Sequence, residues 1–254
     1  MKSKLIEGNH GTAVKSEVEF RDKFQKIDWS ILKDGRIDLA KKLIKKYKIR
    51  GNVLEMGSGH SWMTAMISKS QKVNEAWCVE CSEKLIKEIA PKTFSKLHAD
   101  ISKITRIFGS FYDIPCEDNF FDFIIFEASF HHVQDYDKIF QELKRILKKG
   151  GTILCTRERY LPINKYENIK KFKDYSSRGI LERTFTIPEY RFLAELHHFY
   201  FKTDPFYWYP DKNRKLKHWF KYIVEKIPYL NRSLAYKTCS LVMVMYQKPY
   251  NIEE

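Results

Sequence analysis

Five short strand-like runs, most of them separated by stretches of helical period, restrict the fold of this chain more than anything else in it. They are NVLEM (52–56), AWCVE (76–80), KITRIFGS (103–110), FDFIIFEAS (121–129) and TILCTRE (152–158). FDFIIFEAS is apolar without strict alternation, the mark of a strand buried on both faces. Between the runs, residues 61–70 read as a helix, and SEKLIKEIA reads as another with Ser82 as its N-cap. Asp135–Lys149 places Ile139, Leu143, Ile146 and Leu147 on one helical face, and Gly150–Gly151 is expected to end that helix. Strands alternating with helices predict an α/β fold, an open and mostly parallel sheet with helices on both faces. Such sheets bind ligands beyond the carboxyl ends of their strands, at the switch in strand order.

Before this core, residues 30–48 show helical spacing, with Ile31, Leu32, Ile37, Leu39, Leu43, Ile44 and Tyr47 set among lysines. After it, 188–199 reads as a helix, and 200–210 mixes aromatics with turn residues. Residues 215–227 read as a basic amphipathic helix, and 240–247 as a final strand. The expected sheet has seven strands, with an antiparallel C-terminal strand and a helical cap in the tail. The expected parts are an N-terminal helical segment (1–49), a ligand-binding core (50–160), and a substrate cap with the last strands of the same domain (161–254).

Composition excludes several classes. With 43% hydrophobic and 31% charged residues, and only 10 Gly and 8 Pro in 254, the chain is neither disordered nor fibrous. No run approaches the roughly 20 apolar residues of a membrane span. The start, MKSKLIEGNHG, has no signal-peptide core, so a cytoplasmic protein is expected. The five cysteines form no disulfide framework. The charge of +14 is unevenly spread: residues 1–50 and 161–254 each carry +7, while 51–160 is neutral. Basic flanks around a neutral core point to an anionic substrate or surface. On 215–227, Leu216, Trp219, Phe220, Ile223, Val224 and Ile227 share one face beside Lys215, Lys217, Lys221 and Lys226. That pattern suits packing on the protein's own sheet or, as a candidate partner, an anionic membrane surface.

Glu55-x-Gly57-x-Gly59-x-Ser61 follows the first of these runs and opens a helix. Glycines there permit a tight turn and close approach of a ligand. Glu80, 21 residues beyond Gly59, ends the next strand, where its carboxylate can accept from the ribose hydroxyls of an adenosine. In these motifs the chain resembles the class I S-adenosylmethionine-dependent methyltransferases, which have a Rossmann-like fold. VLEMGSGHS is similar to their first motif and VECSEKLI to their second. FGSFYDIPCEDNFFDFIIFEASFHHV is similar to the adenine-side loop and fourth strand, and LKRILKKGGTIL to the segment after it. The likeness covers about residues 50–160. Ser61 replaces a third glycine, and Ser110 stands where many members carry an acidic residue.

The resemblance implies S-adenosyl-L-methionine as cofactor, with Glu55, Gly57, Gly59, Ser61, Glu80, Cys81, Ser110, Phe111 and Glu127 around it. An anion at Glu55 would repel the pyrophosphate of a nicotinamide cofactor. Methyl transfer to a hydroxyl calls for a base, and the candidates beyond the fourth strand are Glu127, His131 and His132. Arg157, Glu158, Glu182 and Tyr190 are substrate candidates. Cys78-x-x-Cys81 has no second pair and no metal site is expected. The expected activity is O-methylation of a small or lipid-linked acceptor such as a cell-surface sugar. Two further readings are an RNA methyltransferase, suggested by the charge, and a non-enzymatic S-adenosylmethionine binder.

Overall fold

The computed structural model describes residues 3–8, 29, 35–158, 160, 185–206 and 241–247. The sequence predicts seven strands, and eight are found among these residues.

 They form one sheet in the order β1-β4-β3-β2-β5-β6-β8-β7. The strands are β1 (Lys4–Glu7), β2 (Gly51–Met56), β3 (Val73–Glu80), β4 (Ile104–Phe108), β5 (Phe121–Glu127), β6 (Leu147–Thr156), β7 (Phe199–Pro205) and β8 (Leu241–Gln247). All neighbouring pairs from β1 to β6 are parallel, and β8 runs antiparallel to both β6 and β7.

Side-chain alternation along the central strands divides the core. Leu54 and Met56 of β2, with Ile124 and Phe126 of β5, face one hydrophobic cluster. Val53 of β2, with Phe123 and Ile125 of β5, faces the other. Period-two alternation sends neighbours to opposite faces, so a strand covered on both sides reads as a continuous apolar run. The first cluster is closed by α4 (Tyr136–Ile146) and α5 (Ile187–Leu196). The second is closed by α1 (Arg36–Tyr47), α2 (Trp62–Ser68) and α3 (Ala90–Lys96), the last preceded by a π-helical turn, Leu85–Ile89. Ser82 does cap this helical stretch, its Oγ accepting from Leu85 N at 3.2 Å. α4 is capped by Asp135, whose side chain accepts from Lys138 N. The Thr186 and Glu189 side chains form a capping box on α5.

Three local expectations are corrected. The extra strand is β1, an edge strand parallel to β4. Its four residues, KLIE, are too few to show a period. Residues 199–205 are a strand, with Phe199, Phe201 and Thr203 buried and Tyr200 and Lys202 exposed. That alternation is a strand signal, and Pro205 at its end masked it. Finally, α4 ends at Ile146, before Gly150–Gly151. The glycines lie in a bulge of β6: Leu147 pairs with Phe121 and Thr152 with Phe123, so the intervening residues loop out. Gly150 has φ 77° there.

No helix among the described residues is long and apolar enough to cross a membrane. Residues 215–227 and Glu182 lie outside the described residues, as does most of the proposed cap.

Candidate active site

The chain runs outward from β2 to β3 and β4, then returns to the other side of β2 as β5. The switch in strand order therefore falls between β2 and β5, and the loops leaving these two strands meet there. Ser129, just past β5, donates from its Oγ to Met56 O at 2.6 Å. Gly57, the next residue after Met56, has φ +65°, and a Cβ on it would lie 2.9 Å from Ser129 Cβ. The glycine is thus required by the neighbouring loop as much as by any ligand. Gly59 differs: its φ is +51°, and a Cβ would meet nothing within 4 Å. Its outer face is open for a ligand.

Glu80 closes the turn from β3. Its Oε2 accepts from Gly59 N at 2.7 Å, and its Oε1 from Ser82 N at 3.1 Å and Cys81 Sγ at 3.4 Å. A carboxylate offers about four acceptor positions. Holding both hydroxyls of a ribose therefore requires giving up the Gly59 or the Cys81 contact. Ser61, with φ 56°, is buried, and its Oγ lies 2.9 Å from Ser58 Oγ inside the turn.

Glu55 sits beneath the turn, 1% exposed. Its Oε2 accepts from Thr64 N at 2.8 Å and from Thr64 Oγ1. Its Oε1 has no hydrogen-bond partner. Burial is the main reason its pKa is raised to about 8; the Thr64 bonds oppose the rise, and Glu127 and Glu80 add to it. An orphaned, buried carboxyl oxygen is costly and calls for a donor or a cation.

A cavity of about 160 Å³ opens above, lined by Gly57, Ser58, Gly59, His60, Trp62, Glu127, Ala128, Arg157 and Arg36. A whole small-molecule site usually takes about 300–1,000 Å³, so this cavity holds one end of a ligand. Glu127 Oε1 accepts from Arg157 Nη1 at 2.5 Å. Burial raises the Glu127 pKa, against the pull of Arg157 and then Arg36. Arg36 and His60 escaped the sequence reading. Arg36 opens α1, 19 residues before Glu55, and only the fold brings it to Glu127.

On the adenine side, Ser110 is buried and its Oγ accepts from Tyr112 N at 3.2 Å. The Phe111 ring comes within 4.0 Å of where a Gly57 Cβ would stand. This loop is fastened to α4. Arg145 donates to Ile114 O at 2.7 Å and Cys116 O at 2.8 Å, while Glu142 Oε1 accepts from Ile114 N at 2.7 Å. Tyr112 Oη accepts from Gln134 N and Asp135 N at 2.7 and 3.1 Å, tying the loop to the start of α4.

Glu158, 2% exposed, turns into the loop after β5. Its Oε1 accepts from Ser129 N at 2.9 Å and Phe130 N at 2.8 Å. Its Oε2 accepts from His131 N at 3.2 Å and lies 2.7 Å from His131 Nδ1. The carboxylate is thus committed to orienting the loop and the His131 ring. His132, half-buried, packs its ring on His131 with centroids 4.3 Å apart. Tyr190 is 1% exposed in the core, against Phe130 and Phe185. Burial raises its pKa well above the ordinary value.

Residues 54–155 match the family model described as "Methyltransferase domain". Over this stretch, 102 of 254 residues, the chain is similar to methyltransferase domains. The demethylmenaquinone methyltransferase of Staphylococcus aureus (strain MRSA252) is 28% identical over 119 residues, 46% of this chain and 47% of that enzyme. The chain thus aligns with about half the length of this curated relative. Among solved structures, the YcgJ protein from Bacillus subtilis has a TM-score of 0.59 at 16% identity, covering 83% of this chain and 98% of that one. Geranyl diphosphate C-methyltransferase from Streptomyces coelicolor A3(2), solved with Mg2+, geranyl diphosphate and S-adenosyl-L-homocysteine, has 0.57 at 14%, covering 82% and 76%. These structural likenesses show the fold. The residues present fit S-adenosylmethionine: Glu55 Oε1 lacks a donor, Gly59 faces open space, and Glu80 stands at the next strand end.

Proposed function

We propose that the chain is an S-adenosylmethionine-dependent methyltransferase acting on a small or lipid-linked acceptor through a hydroxyl oxygen. The observation that carries this reading is the buried Glu55 oxygen without a partner, beneath a glycine turn that Glu80 closes. Glu80 would hold the ribose, the Gly57–Gly59 backbone the ligand's middle, and Ser110 and Phe111 the adenine. Glu55 and Glu127 would face the methionine ammonium, and Arg36 and Arg157 its carboxylate. The cofactor supplies a methyl group on a sulfonium, open to in-line attack.

The chain's own task is to place the acceptor and take its proton. His131 is the base in this reading. Glu158 positions its ring through Nδ1, which makes Nε2 the nitrogen that receives the proton. Glu158 is then a positioning residue, acting through the histidine. A second reading, methylation of an activated ring carbon on a lipid quinol, is favoured by the name of the 28% identical relative.

The test uses labelled S-adenosylmethionine with demethylmenaquinol and with hydroxyl-bearing lipid and sugar acceptors, the methylated atom being read by mass spectrometry. Replacing His131 with Gln should lower kcat by about 10²–10⁴-fold, the usual weight of general base catalysis, and leave cofactor affinity nearly unchanged. A loss under about threefold would remove His131 from the reaction, and a carbon-methylated product would replace the first reading with the second.

A further inference from the structure

A larger cavity, about 620 Å³, lies on the flank of the sheet beside α3. Its lining includes Ser3, Lys87, Pro91, Phe94, Ile101 and Arg106 and shares no residue with the cofactor cavity. Ile101 precedes β4, so this cavity reaches toward the amino ends of the strands, whereas the glycine turn lies beyond their carboxyl ends.

Arg106 is the unusual residue. It sits in the middle of β4, paired with Cys78, and is 7% exposed. Its guanidinium donates from Nε to Ser3 Oγ at 2.8 Å, from Nη1 to Ile86 O at 2.7 Å and from Nη2 to Ser3 O at 3.4 Å. All three acceptors are neutral, and no carboxylate among the described residues forms an ion pair with it. A guanidinium has five N–H donors, two of which these bonds leave over. Buried charges are normally paired, because taking one out of water is costly. The other cation on the wall, Lys87, is already answered by Glu7 at 2.7 Å and Glu83 at 3.0 Å. The positive charge left to the cavity is therefore that of Arg106. The volume falls within the range of small-molecule sites, and Pro91, Phe94 and Ile101 give it an apolar wall.

We propose that this cavity binds a small organic anion, its phosphate or carboxylate group on Arg106 and its apolar part against Pro91, Phe94 and Ile101. A planar guanidinium matches either group with two parallel hydrogen bonds. The site is separate from methyl transfer, and its ligand need not be the acceptor.

Phenyl phosphate and benzoate are the probes, with benzyl alcohol as the neutral control and inorganic phosphate as the anion without a ring. Binding is followed by calorimetry and by protein NMR, with excess S-adenosylhomocysteine filling the cofactor site. Phenyl phosphate or benzoate should bind saturably, shift resonances of Phe94 and Ile101, and bind at least about tenfold more tightly than benzyl alcohol. Inorganic phosphate alone should bind more weakly than phenyl phosphate. Arg106→Met should abolish the preference for anions. Should that variant not fold, Ser95→Trp, at an exposed lining position, should block the cavity and remove binding. No saturable binding of either anion up to about 10 mM, or binding unchanged in a folded Arg106→Met or Ser95→Trp protein, would overturn the proposal. Failure here leaves cofactor binding, measured in the same samples, intact.

Discussion

Replacing Glu158 with Gln tests how the loop after β5 is held. The carboxylate accepts three backbone N–H bonds and contacts His131 Nδ1, at 2.7–3.2 Å. An amide keeps one oxygen, which can serve either the Ser129–Phe130 pair or the two His131 groups. With the oxygen on Ser129 N and Phe130 N, the NH2 group can donate to His131 Nδ1 in its other tautomer, and the bond from His131 N is lost. Hydrogen bonds to a charged group are worth about 1.5–3 kcal/mol each, so the loss is about 1.5–3 kcal/mol. A loss of about 2 kcal/mol lowers Tm by about 4–8 °C in a protein of this size. Urea unfolding followed by far-UV circular dichroism gives the number. A loss below about 1 kcal/mol would refute the reasoning, because the carboxylate would then not be holding the loop.

Three further outcomes follow from the site. Burial raises the Glu55 pKa from 4.5 to about 8, so the folded state keeps a proton that the unfolded chain releases. Stability should therefore fall as pH rises from about 4.5 to 8, at up to about 1.4 kcal/mol per pH unit, and Glu55→Gln should flatten that slope in unfolding experiments at several pH values. Cofactor binding should release a proton below pH 8, since a ligand ammonium favours the carboxylate; calorimetry in buffers of different ionisation enthalpy reads it. Gly57→Ala should destabilise more than Gly59→Ala, because both need positive φ, at about 1–2 kcal/mol, but only the first also strikes Ser129.

The pattern of strands and helices that builds this site was legible because each strand is short, apolar and bounded by a turn or helix. Glu55, Gly57, Gly59 and Glu80 were legible because they fall at strand ends, where chain position alone assigns them to the rim. Features that depend on contacts across the fold were not. Arg36 reaches Glu127 from a helix 91 positions away in sequence. Arg145 anchors the loop at Ile114 and Cys116 from α4. Glu158 sits on the rim in sequence, yet its side chain turns inward because three N–H donors of the neighbouring loop and the His131 ring converge on it. The glycines at 150–151 read as a helix stop because a bulge and a helix end call for the same residues. β1 is visible only through its pairing with β4.

The most direct test of the cofactor assignment is calorimetry with S-adenosylhomocysteine on the wild-type chain and on Glu80→Ala. The wild type should bind one equivalent. Glu80→Ala should bind about ten- to a hundredfold more weakly, the worth of a charged hydrogen bond, with part of the loss arising from the freed Gly59 N–H. No binding by the folded wild type, or equal affinity in the two proteins, would contradict the account.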